Sequence, residues 1–226
     1  SQQRLLEAIA ETGKPVIMLM MTGSSMDLRF ANEHYNAILQ TWYPGARGGR
    51  SIAKLLFGEV SPSGKLPVTF YESTNDLPDF LDYSMENRTY RYFRGVPQYA
   101  FGYGLSYTTF EVGKGKISKK SMKADEAVTI TVPVTNTGDR EGTETIQVYV
   151  KALDYADASI KDLKGFAKLS LKPGETGKAE IVLNGESFQY YDPSIDELST
   201  RPGRYQILYG TSSLEKDLKT IDFVVK

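Results

Sequence analysis

Apolar positions along the chain change period near its middle. Residues 3–12 place Leu5, Leu6, Ile9 and Ala10 on one face at helical spacing, and Gly13 suits the position just past a helix end. Residues 15–21 form a short, unbroken apolar run. That length fits a strand rather than a helix, and apolarity on both sides predicts a buried strand of a parallel sheet. A short amphipathic piece follows over 28–35, then a second predicted strand over 37–42. A Gly-rich turn over 43–50 opens a helix over 51–57, which Gly58 ends, and residues 66–70 read as a third strand. Residues 71–104 are aromatic and irregular, a length without periodicity that marks a packing or functional loop.

Beyond residue 110 the period becomes two. Val128, Ile130, Val132 and Val134 alternate with Thr and Pro; Ile146, Val148 and Val150 alternate with Gln and Tyr; Ala167, Leu169 and Leu171 alternate with Lys and Ser. Further runs lie at 179–183, 205–209 and 221–225, with a first strand near 112–118. Asn136-Thr-Gly138, Pro173-Gly174, Asn184-Gly185 and Pro202-Gly203 separate them. Seven such strands predict an immunoglobulin-like antiparallel sandwich, here without the disulfide of antibody domains. The expected fold class is α/β followed by all-β, with a boundary near Phe110 dividing 1–110 from 111–226. Three strands make a poor parallel sheet, so the first part reads as a portion of a larger α/β domain with apolar surface left to cover.

Composition sharpens this division. Residues 1–110 hold 3 Lys and 7 Arg, whereas 111–226 hold 14 Lys and 3 Arg, so the two surfaces are built from different cations. The whole chain of 226 residues is near neutral, at a net charge of −1, which argues against a strongly basic nucleic-acid binder. No apolar run approaches the roughly 18 residues of a transmembrane helix. Cytoplasmic, periplasmic and secreted locations all stay open. The absence of Cys removes thiolate nucleophiles and Cys-ligated metals. His34, the single imidazole, sits in a polar stretch and reads as solvated or structurally hydrogen-bonded.

Carboxylates remain as catalytic candidates. Asp76, Asp79, Asp82 and Glu86 cluster in the aromatic loop, but their spacing selects no pair. The turn Gly45-Ala-Arg-Gly48-Gly49-Arg50 matches neither a Walker pattern nor a dinucleotide fingerprint, and it reads as a tight turn with close helix packing.

Several longer motifs carry a resemblance. Trp42-Tyr-Pro-Gly-Ala-Arg-Gly-Gly49, Ile52-Ala-Lys-Leu-Leu-Phe-Gly58 and Pro62-Ser-Gly-Lys-Leu-Pro-Val-Thr-Phe70 resemble the late part of glycoside hydrolase family 3. So do Asp82-Tyr-Ser-Met-Glu-Asn-Arg-Thr-Tyr-Arg-Tyr-Phe93 and Tyr99-Ala-Phe-Gly-Tyr-Gly-Leu-Ser-Tyr-Thr-Thr-Phe110. The second half, with Tyr190-Tyr191-Asp192 and Pro202-Gly203-Arg204-Tyr205, resembles the fibronectin type III-like domain of many members. Residues 87–93 look most like the β-glucosidase and β-xylosidase branches.

The resemblance implies retaining, exo-acting hydrolysis of β-linked sugars by two carboxylates. In the family one is an Asp on an N-terminal barrel and the other a Glu just upstream of the first helix here. Neither motif occurs in residues 1–226, so no catalytic residue is carried over and this chain alone is expected to be inactive. No cofactor or metal is implied. The expected partners are the barrel and the upstream sandwich portion of the same enzyme, with a second copy of the chain as the other way to cover apolar surface. The expected substrate is a β-linked oligosaccharide or aryl glycoside. Glu86 and Arg88, a charged pair amid aromatics, are the candidate substrate-binding residues; a structural ion pair or capping contact is the competing reading. The alternative function is a stand-alone carbohydrate-binding or interaction module.

Overall fold

The computed structural model describes residues 2–226. Its fold is α/β followed by all-β. The first part holds helix α1 (Gln2–Ala10), strand β1 (Ile17–Met20), helix α2 (Arg29–His34), strand β2 (Ala37–Gln40) and helix α3 (Gly48–Leu56). β1 and β2 pair in parallel, Ile17 opposite Ala37. The Asn36 side chain accepts from the Val16 amide at 2.8 Å, which aligns the two strands at their start. α3 begins three residues earlier than its apolar pattern predicted. Pro44 is the reason: a Cβ on Gly48 would lie 2.6 Å from the proline ring, so the glycine lets the helix start directly over the turn.

The predicted third strand does not form, and the parallel sheet has two strands rather than three. Residues 66–70 instead run antiparallel to the end of the aromatic loop. The Leu66 amide donates to the Tyr103 carbonyl (2.8 Å) and the Phe70 amide to the Tyr99 carbonyl (2.9 Å). Pro67 lacks an amide donor, which suits a partly paired segment and not the interior of a sheet. A small core results, with Met20, Leu28 and Phe70 buried against Met18, Ile38, Trp42, Leu66 and Tyr99. Much apolar surface stays open around it: Tyr43 is 79 % and Phe57 84 % exposed, and Leu5, Ile17 and Met21 are exposed as well.

All seven expected strands are present in the second part. Strands β3 (Phe110–Val112) and β4 (Lys116–Ile117) are one predicted strand, interrupted where the Gly115 amide donates to the Tyr209 hydroxyl. Both pair with β6 (Ala127–Asn136), which pairs on its other side with β9 (Thr176–Asn184). The facing sheet runs β5 (Ser121–Met122), β13 (Leu218–Val225), β12 (Gly203–Gly210), β7 (Gly142–Ala152), β8 (Asp162–Leu171). An unpredicted hairpin of β10 (Gln189–Asp192) and β11 (Glu197–Thr200) stands beside it. The core between the sheets contains Val128, Ile130, Val132 and Val134 of β6 against Ile146, Val148, Val150, Ile207 and Phe223. Alternation in β6 follows the pleat as predicted.

β7 departs from that rule. Its outward residues Gln147 (3 % exposed) and Tyr149 (0 %) are buried along with its inward ones. The aromatic loop covers this outer face. Tyr90, from the one-turn helix α4 (Thr89–Tyr92), stacks on Phe101 at 4.3 Å and meets Tyr149 edge-on at 5.7 Å. Gln147 donates to the carbonyls of Gly102 (3.1 Å) and Thr211 (2.7 Å).

Candidate functional site

The aromatic loop folds through local side-chain bonds. Ser73 and Asp76 close a single turn: the Asn75 amide donates to Ser73 Oγ (3.1 Å) and the Ser73 amide to Asp76 Oδ2 (3.0 Å). Asp79 accepts from the Leu81 amide (2.8 Å) and Asp82 from the Ser84 amide (2.8 Å). Three of the four candidate carboxylates therefore stabilise turns, as short polar side chains commonly do. Glu86 is exposed, and among the described residues its carboxylate makes no hydrogen bond.

Arg88 does not pair with Glu86. Its Nη2 donates to the carbonyls of Asp79 (2.9 Å) and Asp82 (2.7 Å), tying the two turns together. A cavity of about 270 Å³ opens beside them, lined by Pro78, Asp82, Glu86, Asn87, Tyr92 and Arg94. The backbone here is strained. Met85, Asn87 and Thr89 have φ of +63°, +58° and +55°, a left-handed region that costs non-glycine residues energy. Phe80, Leu81 and Tyr83 stand exposed on the same loop.

The electrostatics favour hydrogen bonding over proton transfer. The Ser84 backbone and hydroxyl, aided by the charge of Arg88, hold the Asp82 carboxyl below the usual range. Asp27, Glu126, Asp154 and Asp192 are likewise held down by hydrogen bonds. A glycosidic proton donor needs the opposite shift, which none of these five has. The cavity offers carboxylates, an amide, a phenol and a guanidinium, a set that can hydrogen-bond a polyhydroxylated ligand.

The other candidates resolve structurally. His34 stacks on Phe30 (4.1 Å) and its Nδ1 bonds the Phe30 carbonyl (2.9 Å). Among the described residues no group of three His, Asp or Glu is placed to hold a metal ion.

Sequence reading missed the residues that attach this loop to the sandwich. Arg91 Nε donates to Asp162 Oδ1, and the Leu163 amide donates to the Tyr90 hydroxyl at 3.0 Å. Lys65 reaches Glu144 at 2.7 Å. Burial opposes the charge of Arg91, but the bond to Asp162 and its charge outweigh burial and raise the pKa. The aromatic density of 71–104 signalled that something covers these rings; nothing local names Asp162 or Glu144 as partners.

Comparison with known proteins places both parts. Residues 1–107 match the model described as glycosyl hydrolase family 3 C-terminal domain, and residues 144–213 match a fibronectin type III-like domain. The chain carries the C-terminal domain of glycosyl hydrolase family 3. It is 47 % identical over 220 residues to a xylan 1,4-beta-xylosidase of Xylanibacter ruminicola, covering 97 % of this chain and 25 % of that protein. It is 37 % identical over 226 residues to a periplasmic beta-glucosidase of Salmonella typhimurium, covering 94 % and 29 %. A solved β-glucosidase from Erythrobacter marinus superposes with a TM-score of 0.86 at 33 % identity, over 100 % of this chain and 30 % of that one. The chain thus spans about a quarter to a third of the length of these relatives, which are longer enzymes.

Proposed function

We propose that this family 3 chain serves a retaining, exo-acting β-glycosidase that removes terminal xylose or glucose from β-linked oligosaccharides or aryl glycosides. The observation that carries the reading is the family 3 match over residues 1–107 joined to 47 % identity with a xylan 1,4-beta-xylosidase. Retaining chemistry needs two carboxylates about 5–5.5 Å apart, one ionised and one protonated. The Ser84 hydrogen bonds lower the Asp82 carboxyl, the direction opposite to the one a proton donor needs. The reading therefore assigns the chemistry to an N-terminal barrel and the upstream part of the α/β domain. Those parts would also cover the apolar surface around Tyr43 and Phe57, since large open apolar patches are rare on soluble monomers. A second copy of the chain is the other cover.

Within this reading the chain divides near Phe110, and the cavity beside Glu86 faces the substrate. Glu86 accepts from sugar hydroxyls, while Arg88 holds the loop that presents it. The test compares the intact enzyme and residues 1–226 alone on aryl β-xyloside and aryl β-glucoside. The intact enzyme should turn over on the order of 1–1000 times per second, and the isolated chain should not. Glu86→Gln should raise KM in the intact enzyme. Full turnover by the isolated chain would overturn the assignment of the chemistry elsewhere, and unchanged kinetics in Glu86→Gln would remove Glu86 from the substrate.

A further inference from the structure

We propose that the β-sandwich positions the strained segment 85–89, with Asp162 of β8 acting through Arg91 and with Tyr90 locked on the outer face of β7. Three observations meet here. The segment holds three non-glycine residues in the left-handed region within five positions. Such a conformation persists only where surrounding contacts over-determine it. The contacts that follow it directly are to the sandwich: the Tyr90 hydroxyl accepts from the Leu163 amide, Arg91 binds the buried Asp162, and the Arg91 carbonyl accepts from the Ile160 amide at 2.7 Å.

The second observation is the cover on β7. Gln147 and Tyr149 would face water in a free-standing sandwich, and here they are buried beneath Tyr90 and Gly102. The third is the path back to the cavity. The Thr89 amide donates to the Tyr71 hydroxyl (2.7 Å), and the Arg94 amide donates to Asn87 Oδ1 (3.2 Å). Arg88 then carries the fixed geometry to the carbonyls of Asp79 and Asp82. Asp82, Glu86 and Asn87, which line the cavity, are thus set by a carboxylate more than seventy residues further along the chain. Asp162 is a positioning residue, since it touches none of the cavity. Its significance for catalysis rests on the function proposed above; its effect on the loop does not.

The experiment is amide hydrogen exchange in the intact protein, read at Arg88, Thr89, Phe93 and Arg94 and compared with β6. Asp162→Asn removes the charge and keeps the shape, and Tyr90→Phe removes only the acceptor for Leu163. Asp154→Asn, which breaks the exposed pair with Arg204 on the same sandwich, is the control. The first two variants should exchange at least tenfold faster at those four amides, with β6 unchanged and the control like the parent. Unchanged exchange at the four amides, or loosening shared equally with β6, overturns the proposal. In the same two variants kcat/KM toward aryl glycoside should fall. Faster loop exchange with unaltered kcat/KM would uphold the positioning role and refute the cavity's contact with substrate.

Discussion

Replacing Lys65 by Met tests how firmly the α/β part is held on the sandwich. Lys65 and Glu144 approach to 2.7 Å with side chains only 14 % and 10 % exposed. Lys65 also donates to the Gly104 carbonyl (2.9 Å), and Glu144 also accepts from the Thr145 amide (2.7 Å). At an effective dielectric of about 20 the attraction is roughly 6 kcal/mol before desolvation is subtracted. Lys65→Met leaves Glu144 buried with one backbone donor, and stranding one member of such a pair costs about 3–5 kcal/mol. For a chain of this size each kcal/mol corresponds to roughly 2–4 °C in Tm. The single variant should therefore melt on the order of 10 °C lower. Lys65→Met with Glu144→Leu should recover most of that loss, because an apolar pair removes the uncompensated charge. The assay is thermal unfolding followed by circular dichroism for the strands. Fluorescence of Trp42, the single tryptophan, follows the α/β core in parallel. The Trp42 transition should shift ahead of the strand signal in Lys65→Met. If the single and double variants both melt within about 2 °C of the parent, the pair does not join the two parts and the reasoning fails.

Asn136 is fully buried and its side chain makes four bonds: it donates to the carbonyls of Arg140 and Leu171 and accepts from Thr108 Oγ1 and the Gly138 amide. Asn136→Ala should cost about 2–4 kcal/mol in denaturant unfolding, and a cost under about 0.5 kcal/mol would show these bonds to be idle. Burial pushes the Tyr190 phenol up to about 12 and raises Tyr149 and Tyr205 as well. The unfolded phenols ionise near pH 10. Stability from these groups is therefore whole below about pH 10 and is lost as pH rises through the folded values. Tyrosinate absorbance should show a late-titrating group that loses one equivalent in Tyr190→Phe; simultaneous ionisation of all tyrosines near pH 10 would contradict their burial.

How much of this was legible beforehand depends on how local each feature is. Strand β6 could be read because one face meets the core and the other does not, so the pleat writes the burial into every second residue. Helix α1 and the parallel pair β1–β2 were legible from helical spacing and short apolar runs, each local to a few residues. The burial expected of β1 was not: Ile17 and Leu19 are exposed, because no further strand or helix covers them here. Residues 66–70 were misread because an apolar run states only that something covers it. The cover turned out to be the chain at 99–103, not a third parallel strand. Gln147 and Tyr149 show the same limit from the other side: polar alternation in β7 predicted an outward face, and a loop folded over it. In the candidate site, Glu86 and Arg88 were singled out from charge amid aromatics, but nothing adjacent to Arg88 says that its donors go to the carbonyls of Asp79 and Asp82. The Arg91–Asp162 and Lys65–Glu144 pairs are beyond local reading, because their members lie 71 and 79 positions apart. Periodicity and turn chemistry act along the chain, so the sequence by itself determined α1, the β1–β2 pair, the seven sandwich strands and the two-part order. Which charges meet across the junction is decided by the docking of those elements, and only the tertiary structure contains it.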